Sequence, residues 1–284
     1  MMKQIFTNLL TGLCLLYLGT KPSFCQTIKN LGGWQTDGRV KTIAEDVNYI
    51  YLGGSFSALV KLGTAGALTH GIPVSTTGAG EVVQGFPNVN GNVYITISDG
   101  SGGWYIGGIF THVGGIDRNN IAHINPDKTL DLIWNPNAIG GSLPGVRALA
   151  LSGTDLYVGG DFTHIGGQPR SNIAKLSTTG AGNADATWNP NANNTIYTLT
   201  LSGTDLYVGG WFSTLGGQPR NRIAKLSTTG AGNVDETWNP NASGGGVSAL
   251  ALSGTDLYVG GVYHHWRAGK KLYCQTQHHG YRCS

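Results

Sequence analysis

The chain has 284 residues, 46 of them glycine, with 12% charged side chains and a formal net charge of +3. So much of the residue that tolerates positive φ, with so few charged residues, points to short strands joined by tight turns and away from helices. The positive charge belongs to the two ends: twelve basic against fifteen acidic residues leave 26–261 at −3, which excludes the basic footprint of a nucleic-acid binder.

Residues 1–25 have the organisation of an export signal: Lys3, an apolar stretch from Ile5 to Leu18, and a small-x-small pattern at Ser23-Phe24-Cys25. The apolar stretch is short for a membrane span of about 20 residues and is broken by Thr7, Asn8 and Thr11. Leu13 and Phe24, ahead of Cys14 and Cys25, do not suit a lipoprotein signal. The expectation is a chain secreted or held at the cell surface, with no membrane span after signal cleavage. The other cysteines, Cys274 and Cys283, lie near the far end, so no disulfide framework holds the body.

From Asp46 to Gly261 the chain repeats. Leu151 to Ala192 returns from Leu201 almost unchanged, with looser copies at Tyr51 and Tyr105 and a fifth beginning at Leu252. A tyrosine opens each "YxGG", at Tyr51, Tyr105, Tyr157, Tyr207 and Tyr258, and a second aromatic marker recurs at Trp34, Phe86, Trp134, Trp188 and Trp238. The tyrosines are 54, 52, 50 and 51 residues apart, which gives five repeats.

Each repeat reads as four strands. In the third repeat these are Val146–Leu151, Leu156–Phe162, Asn172–Leu176 and Ala186–Asn189. Turn chemistry separates them at Ser152–Asp155, Gly166–Pro169, Ser177–Asn183 and Asn189–Ala192. The Gly159-Gly160 pair suits a bulge or a close backbone approach. A lone four-stranded sheet cannot bury both faces, and "ALAL" and "LYV" are apolar on both, so each sheet is expected to stack on its neighbours. The fold expected is all-β: a β-propeller of four-stranded blades, about five units of about 50 residues, the last blade incomplete. A β-solenoid would have coils of roughly 20 to 30 residues. The leading segment with Trp34 has two possible places: beside Val247–Gly261, closing a five-bladed ring, or in an open arc with an exposed edge.

The succession "LYVGGDF", "RSNIAKL", "TTGAGNADATWNPNA" resembles the delta-sixty repeats of bacterial secreted and surface proteins and, more distantly, kelch blades. That resemblance implies an extracellular propeller module with no catalytic residues to carry over. The repeat at Tyr51 departs from it, passing from Phe56 into "ALVKL" without the "THIGGQPR" loop.

After Gly260-Gly261 the repeat stops, and Tyr263–Ser284 carries four histidines and two cysteines that look like metal ligands. Back-translated from Tyr263 with one base dropped, the tail permits "TTIGGQARNYIAKLSTTG", in which 16 of 18 positions match one of the two good copies. Residues 262–284 are therefore read as the repeat in a shifted frame, expected to be disordered, with no metal site and no cofactor.

Recurrent polar residues serve the scaffold more simply than a ligand. Asp155, Asp205 and Asp256 share one turn, and Asp185 and Asp235 another; His112 and His164 also recur. Arg118, Arg170 and Arg220 share a loop position, where they either attract an anionic glycan or cap carbonyls of their own loop. Departures from the repeat are the better candidates: Trp211 replaces Asp161, His123 replaces Lys175 and Arg222 replaces Asn172, each weighed against drift. The expected function is a non-enzymatic binding or cell-surface interaction module whose partner is a protein or glycan. A glycan-active hydrolase or lyase, using an acid such as Glu81 or Asp99, is the alternative from another class, and a truncated product without a function of its own is the third.

Overall fold

The computed structural model describes residues 29–31, 34–46, 49–57, 59–61, 70–76, 82–261 and 274–275. The proposed signal, Glu81 and, apart from Cys274–Gln275, the shifted-frame tail lie outside them. Among the described residues every regular element is a strand, and no helix is long and apolar enough to cross a membrane. The chain forms two compact units, 1–132 and 133–284.

The N-terminal unit contains β1 (Lys29–Leu31), β2 (Trp34–Thr36), β3 (Arg39–Glu45), β4 (Tyr49–Ser55), β5 (Leu59–Lys61) and β6 (Gly71–Ser75). There follow β7 (Asn92–Ser98), β8 (Trp104–Ile109), β9 (His112–Val113), β10 (Ile116–Asp117) and β11 (Ile121–Ile124). Its sheets run β3-β4-β6 and β7-β8-β11, with β9 and β10 a hairpin between β8 and β11. In the first repeat the third strand is β6, not the "ALVKL" segment, whose β5 pairs with β2. Both edges of β2 are thereby occupied, by β1 and β5.

The C-terminal unit contains β12 (Gly145–Ser152), β13 (Asp155–Asp161), β14 (His164–Ile165), β15 (Gln168–Pro169) and β16 (Ile173–Ser177). After them come β17 (Ile196–Ser202), β18 (Asp205–Gly210), β19 (Thr214–Leu215), β20 (Gln218–Pro219), β21 (Ile223–Ser227), β22 (Ala249–Ser253), β23 (Asp256–Gly260) and β24 (Cys274–Gln275). The sheets run β12-β13-β16, β17-β18-β21 and β22-β23-β24. Gly166-Gly167-Gln168-Pro169 is not an open loop: Gly166 and Gly167, at φ 61° and 74°, close the β14–β15 hairpin.

The tyrosines sit at one register. Tyr51, Tyr105, Tyr157, Tyr207 and Tyr258 pair with Ala44, Ile97, Ala150, Thr200 and Ala251 on the preceding strand. Three strands, not four, make each of these sheets. The fourth segment is reduced to one bridge, Leu176↔Ala184 or Leu226↔Val234. The reason is local: Asp185 Oδ1 accepts the N–H groups of Thr187 and Trp188, bending the chain, and Pro190 then has no donor.

Burial comes from stacking within each unit. Ala148, Tyr157 and Ile173 share a core with Ile196, Leu199 and Leu206 of the next sheet, and Tyr51 shares one with Val93, Trp104 and Ile106. The diglycine is the point of close approach: a Cβ on Gly159 would lie 2.6 Å from Ile196 Cγ2, and one on Gly209 2.5 Å from Val247 Cγ1. The bulge lies opposite the diglycine, on the first strand, where Lys41, Tyr94, Arg147 and Tyr197 are the extra residues.

Candidate functional site

Three repeats build the same carboxylate clamp. Lys175 Nζ, on β16, lies 2.7 Å from Asp185 and 3.6 Å from Asp155, and Lys225 Nζ, on β21, 2.6 Å from Asp235 and 3.3 Å from Asp205. His123 takes this place on β11, Nδ1 at 3.0 Å from Asp131 Oδ2 and Nε2 at 3.1 Å from Asp99 Oδ2. Its ring stacks on Tyr105 with centroids 4.4 Å apart. His123 therefore stands between two carboxylates, as the lysine does in the two later repeats. Asp99 is therefore no stray acid: it reaches from a longer turn into the place Asp155 fills, where Gly103 has no side chain.

Burial alone would raise the Asp185 carboxyl, but hydrogen bonds from Lys175, Thr187 and Trp188 override it and hold the group well below the usual carboxylate range. For Asp235 the Lys225 bond leads, followed by that from Thr237, with the same result. Desolvation likewise opposes, and donors on Ser101, His123 and Gly103 outweigh it, at Asp99. Every carboxylate of the three clamps thus faces the basic side chain of its repeat. Among the described residues no group of three or more His, Cys, Asp or Glu side chains could hold a metal ion.

The loop arginines are inside. Arg118, Arg170 and Arg220 are each about 5% exposed. Their guanidiniums donate to the preceding carbonyl, of Asp117, Pro169 or Pro219, and to that of Asp131, Asp185 or Asp235. They cap carbonyls and so tie the hairpin to the clamp. His112 contacts Asp117 in its own hairpin.

Trp211 and Arg222 are brought together at the surface. Trp211 is 44% exposed, and the Arg222 guanidinium lies 4.7 Å from its ring centroid. Arg222 Nη1 donates to the carbonyls of Trp211, at 2.6 Å, and Phe212, at 3.2 Å. Gly246 leaves room for the indole, since a Cβ there would lie 2.6 Å from Trp211 Cε3. Arg222 adopts φ 66°, the value its counterparts Asn120 and Asn172 share. Asparagine tolerates this left-handed region; for arginine it costs about 1–2 kcal/mol.

Sequence reasoning missed a second set of cation–aromatic pairs. Lys41 Nζ lies 4.0 Å from the Tyr94 centroid in the N-terminal unit, and the Arg147 guanidinium 5.9 Å from that of Tyr197 in the C-terminal unit. All four are the bulge residues of their first strands. The signal was present: in "VKTIAE", "VYITIS", "VRALAL" and "IYTLTL" the second position alone changes chemical class at every repeat. Leu132 and Ile133, 67% and 71% exposed, also went unnoticed where the later repeats have Ala-Thr and Glu-Thr.

Residues 100–132, 156–184 and 206–235 match the family model described as a domain of unknown function (DUF5122) beta-propeller. The chain carries β-propeller repeats. Each match begins in or just ahead of the tyrosine-bearing second strand and runs through the hairpin and third strand to the clamp, so the propeller-repeat signature is the scaffold itself. Two computationally designed proteins are similar in structure. Ika4 has 10% identity over 77% of this chain and all of that one, with a TM-score of 0.38. Ika8 has 13% identity over 80% and 82%, with a TM-score of 0.37. No curated protein matches the chain.

Proposed function

We propose that this chain is an exported, non-enzymatic propeller-repeat module of the delta-sixty kind that binds a protein or glycan at the cell surface through Trp211 and Arg222. The observation that carries the reading is an arginine held at φ 66° beneath a half-exposed indole, where the third repeat places Asn172 and Asp161. A strained backbone supporting an exposed aromatic is a costly arrangement for a scaffold and a useful one for a contact surface. An indole face beside a guanidinium stacks on a sugar ring or fills a pocket of a protein partner.

The absence of catalysis in this proposal rests on the clamps. Asp99 and Asp131 share His123, and Asp155, Asp185, Asp205 and Asp235 each face a lysine, which leaves none of these pairs in the contrasting environments that a glycosidase acid and base need. Export is supported by the organisation of residues 1–25. A glycan array and bacterial-surface binding assay on the wild type and on Trp211→Ala test the proposal. Binding that falls at least tenfold in the variant, at unchanged melting temperature, is the expected result. Hydrolysis of an arrayed glycan by the wild type, abolished by Asp99→Asn, would replace it with the enzymatic reading.

A further inference from the structure

Within the C-terminal unit each repeat completes its predecessor, and among the described residues the last one leaves four contacts open. β13 and β18 carry a third strand along their second edge, in the register Asp155↔Ser177 to Gly159↔Ile173 and Asp205↔Ser227 to Gly209↔Ile223. On β23, among the described residues, that edge meets only β24, which runs parallel and pairs with Val259 and Gly260. The antiparallel strand that both earlier sheets contain is replaced by two residues of the wrong polarity.

The earlier repeats specify what fits there. Trp134 Nε1 donates to Ser177 O and Trp188 Nε1 to Ser227 O, each at 2.9 Å, so every indole is latched by the serine ending a third strand. Both tryptophans are fully buried, whereas Trp238 is partly exposed and its Nε1 has no acceptor among the described residues. Tyr157 donates its hydroxyl proton to Thr228 O at 3.2 Å; Tyr207, one repeat on and stacked edgewise on Trp238 at 5.2 Å, has no such acceptor among those residues. Thr154 O and Thr204 O accept from the N–H and hydroxyl of Thr178 and Thr228, while Thr255 O, at the same turn, meets no such donor there. Asp155 and Asp205 face lysines; Asp256 faces none in the described structure.

One segment answers all four: an antiparallel strand with lysine opposite Tyr258, then leucine, a serine carbonyl for Trp238 and a threonine whose N–H reaches Thr255 and whose carbonyl reaches Tyr207. We infer that the second edge of β23, with Asp256, Tyr207 and Trp238, is a docking site for an Ile-Ala-Lys-Leu-Ser-Thr strand presented by a separate propeller-repeat polypeptide. A second copy of this chain is a poor donor, because its own two such strands are locked in place as β16 and β21. The shifted reading of the tail from Tyr263 contains the matching sequence, which identifies the segment this edge is shaped to receive. Recognition is by strand addition, with backbone bonds supplying affinity and the lysine and serine supplying register.

The test is fluorescence anisotropy with a labelled RNYIAKLSTTG peptide and the full chain. Saturable binding at one peptide per chain is expected, absent for a scrambled peptide. Asp256→Asn weakens it about two- to fivefold, as does norleucine for the peptide lysine, and the two changes together weaken it no further. A chain whose residues from Tyr263 onward are replaced by TTIGGQARNYIAKLSTTG has its edge filled internally and binds no peptide. Equal binding by that chain or of the scrambled peptide overturns the inference, as does self-association of the wild type that the peptide fails to compete.

Discussion

Gly159→Ala tests whether stacking of successive sheets is what buries them. A methyl group there would lie 2.6 Å from Ile196 Cγ2, 3.0 Å from Ile196 Cβ and 3.4 Å from Ala148 Cβ. Carbon atoms in good contact stand about 3.5–4.0 Å apart, so β17 must retreat by roughly 1 Å or Ile196 must leave its rotamer. Overpacking of this kind costs about 1–3 kcal/mol. Loss of glycine's freedom in the unfolded chain offsets about 0.4–1 kcal/mol, and Gly159 is not at positive φ, so no backbone strain is added. The net expectation is a destabilisation of about 1–2 kcal/mol. Ile196→Ala alone, at a fully buried site, costs about 2–5 kcal/mol. If the two residues meet as described, the double variant is more stable than the sum predicts by at least about 1 kcal/mol, because the alanine at 159 then occupies space that Ile196 vacated. Urea unfolding of the four proteins, with midpoint and m-value for each, reads this coupling. Additivity within about 0.5 kcal/mol, or a Gly159→Ala chain more stable than wild type, would refute face-to-face packing of β13 on β17.

Tyr51→Phe removes a fully buried hydroxyl that has no hydrogen-bond partner among the described residues and whose pKa burial pushes up; stability rises by about 1 kcal/mol, and a fall in the unfolding midpoint would show a partner. The Asp235 carboxyl is held below its ordinary value of 3.8, so its contribution is complete above about pH 4 and is lost as pH falls through the lowered folded value. Lys225→Met, which removes the leading cause of that shift, therefore flattens the acid limb of the stability curve measured by urea midpoints between about pH 5 and 2. An unchanged limb would place the acid sensitivity elsewhere. Arg222→Asn relieves φ 66° and raises the melting temperature by about 2–4 °C while weakening ligand capture; a fall would mean that the guanidinium holds the loop backbone more than it supports Trp211.

The repeat register and the sheet order were readable because both follow from a spacing that recurs about every 50 residues and from tyrosines that recur within it. The fourth strand was not readable, since "ADATWN" has strand-forming residues and nothing in its pattern announces that Asp185 will take the N–H groups of Thr187 and Trp188 from the ladder. "GIPVS" was passed over: it contains Pro73, yet β6 is an edge of its sheet, where a missing donor costs nothing. Trp211 and Arg222 were found as departures from a repeated background, a method that depends on copies similar enough to subtract. The same subtraction applied to the first strands would have exposed Lys41, Tyr94, Arg147 and Tyr197.

Subtraction ranks candidates but does not separate scaffold from surface, and the clamp supplies the missing criterion. His123 departs from lysine, and Asp99 supplies from a longer turn the acid that Gly103 lacks, yet the two changes together restore the arrangement of two carboxylates about one nitrogen-bearing side chain that Asp155, Lys175 and Asp185 make. A departure whose neighbours have changed to recover the same contacts belongs to the scaffold. Arg222 recovers nothing of what Asn172 does: the amide of Asn172 donates to Ala192 O, while Arg222 turns instead to the carbonyls of Trp211 and Phe212 and lies over the indole. An uncompensated change that keeps a strained backbone and leaves an indole 44% exposed is what the proposed contact surface would require. The same criterion applied to Trp238 gives a different answer: it keeps the Thr-Trp-Asn-Pro-Asn-Ala context of Trp188, and among the described residues only its partner is missing.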